Sequence, residues 1–122
     1  MCDAPSKKDV EIQGTRRLFA RSFVALSALT SGLIVLGALV RVQEAGLACP
    51  DWPLCFGEVI PQMNLQIGFE WTHRVVAGGV AFFFSTLAVL TWRRPFLRKL
   101  VSRWLLTGGT LLVLQILLGA LT

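Results

Sequence analysis

The stretch SFVALSALTSGLIVLGALV, residues 22–40, runs for 19 residues without an ionisable side chain. Two further stretches share that property: VVAGGVAFFFSTLAVLTW at 75–92 (18 residues) and WLLTGGTLLVLQILLGALT at 104–122 (19 residues). A helix rises 1.5 Å per residue, so about 20 residues cover roughly 30 Å of hydrocarbon. Each stretch reaches that length with a residue or two from its flanks. None alternates as a strand does, and within lipid only helices and closed barrels satisfy every backbone polar group. The reading is an all-α transmembrane chain with three membrane helices.

The rest of the composition agrees. Of 122 residues, 54% are hydrophobic and only 16% charged, whereas a soluble domain carries roughly a quarter of its residues as charges. Such a balance excludes a disordered chain and an ordinary cytosolic enzyme, and three cysteines are too few for a disulfide-stapled mini-protein. The net charge of +5 is unevenly placed. Lys7, Lys8, Arg16, Arg17 and Arg21 precede the first span, and Arg93, Arg94, Arg98, Lys99 and Arg103 lie between the second and third. Between Val42 and Thr72 there is no Lys or Arg, only Glu44, Asp51, Glu58 and Glu70. The positive-inside rule then places the N-terminus and the short basic loop in the cytoplasm and the 42–72 loop outside it. The cations read as topology anchors against anionic lipid, not as contacts to nucleic acid. The implied organisation is a basic cytoplasmic tail, 1–20, followed by a transmembrane domain, 21–122. The apolar run at 22–40 exceeds the usual 7–15 residues of a signal-peptide core, so a retained helix is expected. The third run meets no closing charge, and the chain reads as stopping inside a larger protein.

The outer loop contains Cys49-Pro-Asp-Trp-Pro-Leu-Cys55. Its prolines fix φ and remove donors, forcing a compact turn. The two cysteines enclose five residues and face a compartment where disulfides persist. They read either as a structural staple, worth about 2–3 kcal/mol in the chain-entropy model, or as a redox-active pair. Cys2, on the reducing side, reads as an uninvolved thiol.

Phe69-Glu-Trp-Thr-His-Arg74 leads into the second span, and His73 is the single histidine of the chain. Residues three apart share a helix face, so Glu70 and His73 project together at the outer lipid boundary. An ionisable pair at that depth reads as functional by default; the plainer alternative is a Glu–His hydrogen bond capping the helix beside a Trp71 anchor. Ala77, Val80 and Phe84 continue the same face and would suit a flat macrocycle. Gly78 and Gly79 would allow close helix approach. Gln115, Gly119 and Thr122 form a polar and small stripe on the third helix, read as packing. Arg41 and Arg74 either snorkel to headgroups or pair with carboxylates such as haem propionates.

Taken together, Gly37-Ala-Leu-Val-Arg41, the 46–55 loop, Glu70-Trp-Thr-His-Arg74 and Gln115-Ile-Leu-Leu-Gly-Ala-Leu-Thr122 resemble the N-terminal half of haem A synthase, over residues 20 to 122. The resemblance implies an oxidoreductase of haem A biosynthesis that converts the C8 methyl of haem O to a formyl group, with oxygen drawn from water. It implies a four-helix bundle holding the substrate haem between two histidines. The first falls on His73 as an axial iron ligand, with Arg41 and Arg74 beside the haem. Glu70 becomes the catalytic acid, stabilising positive charge at the methyl carbon, and Cys49–Cys55 a disulfide. It further implies haem b in a C-terminal half, and a bacterial plasma membrane or mitochondrial inner membrane. The implied partners are haem O synthase (protohaem farnesyltransferase) and terminal oxidase assembly.

Members of that family have eight helices and four axial histidines; this chain offers three helices and one histidine. The expectation is an incomplete bundle that alone binds haem poorly and is inactive, unless a partner chain or a second copy completes it. Two other functions fit the residues: a non-catalytic membrane haem-binding module, and a thiol-disulfide relay through Cys49 and Cys55.

Overall fold

The computed structural model describes residues 6–121. Cys2 and Thr122 lie outside the described residues. Three helices account for most of the chain: α1 (Lys7–Val42), α2 (Leu65–Trp92) and α3 (Pro95–Leu121). All three are long and apolar enough to cross a membrane, and no strand occurs among the described residues.

Helix α1 begins well before its apolar run. Ser6, itself extended, is the N-cap, and its backbone N–H donates to the Asp9 carboxylate at 3.2 Å, meeting one of the donors that a helix start leaves unpaired. From there 36 residues run unbroken, about 54 Å at the α-helical rise. The 7–20 part of the basic tail is thus a rigid continuation of the first span. Charge limits where a helix sits in lipid, not where it starts.

Helix α2 also starts earlier than its apolar run. Asn64 accepts from the Ile67 N–H at 2.8 Å, an N-cap of the preferred residue type. The connection between α1 and α2 is therefore 43–64, and residues 65–72 are helical. His73 lies about 12 Å along α2 from Leu65.

Only Arg93 and Arg94 separate α2 from α3. Pro95 stands first in α3, where its missing N–H is harmless and its fixed φ suits the helix. So short a link makes α2 and α3 antiparallel neighbours.

Helix α2 is the middle element, packed on α1 along one side and on α3 along another. Leu26, Val80 and Leu87 form the buried core, joined by Phe23, Leu33, Val76, Phe83 and Phe84. Phe84 also seats on α3: a β-carbon at Gly108 would lie 3.3 Å from its ring. Helices α1 and α3 stay apart and leave an apolar cleft with Phe84 between them, lined by Phe23, Leu26, Thr30, Val101 and Leu105. Most large apolar side chains, from Val24 to Leu118, point outward. That arrangement is untenable in water and ordinary in lipid.

Candidate functional site

The 43–64 connection folds around Asp51. Its carboxylate oxygens accept from the N–H groups of Phe56 at 2.6 Å and Gly57 at 2.8 Å. Both residues sit in the left-handed region, with φ of 56° and 72°, and the turn is closed by reciprocal backbone bonds between Cys55 and Glu58 at 3.1 Å. Phe56 in that region carries a steric cost that glycine avoids, and the Asp51 carboxylate offsets it. Trp71 on α2 donates from Nε1 to the Val59 carbonyl at 2.8 Å, tying the later part of the loop to the helix.

Cys49 and Cys55 are joined in a disulfide. Both residues are buried, Cys55 completely. Thiol–disulfide exchange needs a thiolate to reach a sulfur, so this burial favours the staple over the relay.

Glu70 and Arg74, one turn apart on α2, grip the same loop. The Glu70 carboxylate is buried at 5% exposure. One of its oxygens accepts from the Cys49 N–H at 2.9 Å, and the other pairs with Arg74. The Arg74 guanidinium donates further to the carbonyls of Asp51, of Leu54 at 2.9 Å and of Cys49 at 3.3 Å. Four of its five N–H groups are thereby committed to the loop and to Glu70, which leaves Nε for any other partner. Arg41, at the end of α1, is exposed.

His73 points elsewhere. Its ring lies against Gly37 of α1, where a β-carbon would come within 3.1 Å of Cε1. There is no hydrogen bond between His73 and Glu70. Nδ1 is the one buried side-chain nitrogen or oxygen among the described residues without a partner. Leaving such a group unpaired costs about 1–3 kcal/mol, which marks His73 as a residue kept for something other than the stability of these three helices. Among the described residues no group of three or more His, Cys, Asp or Glu could hold a bare metal ion. A lone, unpartnered imidazole on an apolar helix suits one axial position on an iron whose other ligands come with its own macrocycle.

A family model described as cytochrome oxidase assembly protein matches residues 20–68, which takes in α1 from residue 20 onward and the whole clasped loop. The heme A synthase of Bacillus pumilus is 42% identical over 95 residues, 73% of this chain and 30% of the relative. That of Oceanobacillus iheyensis is 34% identical over 121 residues, 93% of this chain and 37% of the relative. This chain belongs to the haem A synthase family. It spans about a third of the length of the haem A synthases it matches. A protoheme IX farnesyltransferase of Haloarcula marismortui is also similar, 34% identical over 106 residues that make up 84% of this chain and 22% of that protein. No solved structure matches.

Set beside the family's expected site, the structure brings Glu70, Arg74, Cys49 and Cys55 into one cluster and sends His73 to the α1 interface. Two residues of consequence had no sequence signal of their own. Asp51 organises the loop turn; it had been visible only as a carboxylate within the Cys-Pro-Asp-Trp-Pro motif. Gly37 makes room for the His73 ring. The glycines expected to permit close approach, Gly78 and Gly79, face open space, and the tight contacts fall at Gly37 and Gly108. Val80, expected to flank a macrocycle, is buried against Leu26, and Phe84 is part of the same packing. Gln115 on the third-helix stripe is exposed.

Proposed function

We propose that this chain forms part of the substrate-haem site of a haem A synthase, an oxidoreductase that converts the C8 methyl of haem O to the formyl group of haem A. The observation that carries the reading is the His73 imidazole: without a hydrogen bond to any described residue, set in an apolar helix, and next to a loop fastened to that helix. In this reading His73 is an axial ligand of the substrate iron. Arg41 is the cation free to meet a propionate, while Arg74 contributes positive charge from its place on α2 against the loop. Glu70 holds a carboxylate in a dry, fixed position, where oriented charge favours positive charge developing at a reacting carbon. Its pairing with Arg74 offsets part of that field and fixes where the remainder acts.

The helices beyond this chain would bring the opposing histidine, and a separate haem b site would lie in the remaining length. The charge distribution supports an N-terminus in the cytoplasm and the 43–64 loop outside it, in a bacterial plasma membrane or a mitochondrial inner membrane. A haem O synthase would supply the substrate and a terminal oxidase would take the product.

The test is spectroscopic and then chemical. Reconstituted with haem, the chain gives a reduced visible spectrum that His73→Ala abolishes; an unaltered spectrum overturns the ligand assignment. In a full-length member of the family carrying these residues, replacing Glu70 with Gln stops haem A formation while haem stays bound. Normal haem A accumulation in that variant removes Glu70 from the chemistry.

A further inference from the structure

A metal-binding histidine is usually oriented by a hydrogen bond from its non-ligating nitrogen. His73 lacks that device, because Nδ1 is buried and without a partner. Shape takes its place. A β-carbon at Gly37 would lie 3.1 Å from Cε1, 3.6 Å from Nδ1 and 3.8 Å from Nε2. Carbon atoms pack best at about 3.5–4.0 Å, so the ring edge occupies the space that any side chain at 37 would need. The two other described glycines of α1, Gly14 and Gly32, have nothing within 4 Å of such an atom. Gly37 is thus the position on α1 where the absence of a side chain matters. With Cε1 seated on α1 and Nδ1 sealed, the nitrogen left to donate its lone pair is Nε2.

We propose that Gly37 is a positioning residue that seats the His73 ring against α1 so that Nε2, and not Nδ1, is presented to a ligand. The ligand itself is the one assigned above, and the proposal rests on that reading for its haem readout alone. Which nitrogen is presented is open to measurement without haem.

The chain's single histidine makes the experiment direct. In detergent or lipid nanodiscs, diethyl pyrocarbonate reacts with accessible imidazole nitrogens, and nitrogen-15 NMR of histidine-labelled protein tells the Nε2 adduct from the Nδ1 adduct. The wild-type chain is expected to react at Nε2. Gly37→Ala displaces the ring, gives adducts at both nitrogens, and weakens binding of ferric haem by about threefold to tenfold, the effect of an off-rotamer ring. Gly32→Ala, on the same helix with open space around it, matches wild type in both readouts. Gly37→Ala with wild-type nitrogen selectivity and wild-type affinity overturns the proposal. So does Nδ1 modification in the wild-type chain, which decides the matter even if Gly37→Ala fails to form its Cys49–Cys55 disulfide. If His73→Ala leaves haem binding unchanged, the ligand reading falls, and the nitrogen selectivity still judges Gly37.

Discussion

The two ends of the helical unit carry arginines that work in opposite ways. At the loop end Arg74 is half-buried, and its guanidinium bonds Glu70 and three backbone carbonyls of a loop 20 to 25 residues away in sequence. At the other end Arg93, Arg94, Arg98 and Arg103 are exposed, and among the described residues the Arg74–Glu70 pair is the one ion pair. The closest thing to a tether there is Arg16 on α1, whose guanidinium carbon lies 5.6 Å from the centroid of the Phe96 ring on α3, worth about 0.5–1 kcal/mol at an exposed site. A cation surrounded by carbonyls builds local structure. One that is merely exposed leaves the fold alone.

The largest expected effect that separates the two ends comes from Arg74→Met. Removing one partner leaves the buried Glu70 carboxylate uncompensated and strips the loop carbonyls of their donors, a loss of about 3–5 kcal/mol. Mild reductant followed by an alkylating reagent reads it: Cys49 and Cys55, protected in wild type, become reactive. Lysine does not restore protection, since a point charge cannot reproduce the planar fork. Protection that survives Arg74→Met erases the distinction between the ends.

A smaller loss follows from replacing Cys49 and Cys55 together with serine, about 2–3 kcal/mol in the chain-entropy model. Haem bound per folded molecule should stay at the wild-type level, because the sulfurs are buried and serve the loop. A full-length enzyme whose turnover per folded molecule collapses in this variant would bring the relay reading back.

The smallest effect belongs to the opposite end. Alanine at Arg93 or Arg98 changes stability by no more than about 0.5 kcal/mol, as exposed substitutions do. Replacing Arg93, Arg94, Arg98, Lys99 and Arg103 together shifts orientation instead, which labelling of a reporter cysteine on the 43–64 loop from each side of the membrane detects. A stability loss as large as that of Arg74→Met would mean this end is built like the other.

Much of the molecule was legible in advance, for specific reasons. The three spans follow from uninterrupted apolar composition, while the short Cys49–Cys55 spacing left staple and relay both open and the disulfide itself came from the family resemblance. Placing Glu70, His73 and Arg74 on one helix required only that the second apolar run extend backwards. The helix starts at Lys7 and Leu65 were less visible, because the charged and polar residues before each apolar run are compatible with helix and carry no mark of where it begins. The loop partners of Arg74 were not visible at all. They are main-chain carbonyls, and a carbonyl has no residue-type signature.

Sequence by itself settled that this chain lies in a membrane as three helices, because partition into lipid is decided segment by segment from side-chain composition. Tertiary structure alone decided that Glu70 and Arg74 turn to the loop while His73 turns to Gly37. Those choices depend on where α1 and the loop come to rest against α2. Distances of 3 to 4 Å between groups far apart in the chain are set by packing, and residue order does not record them.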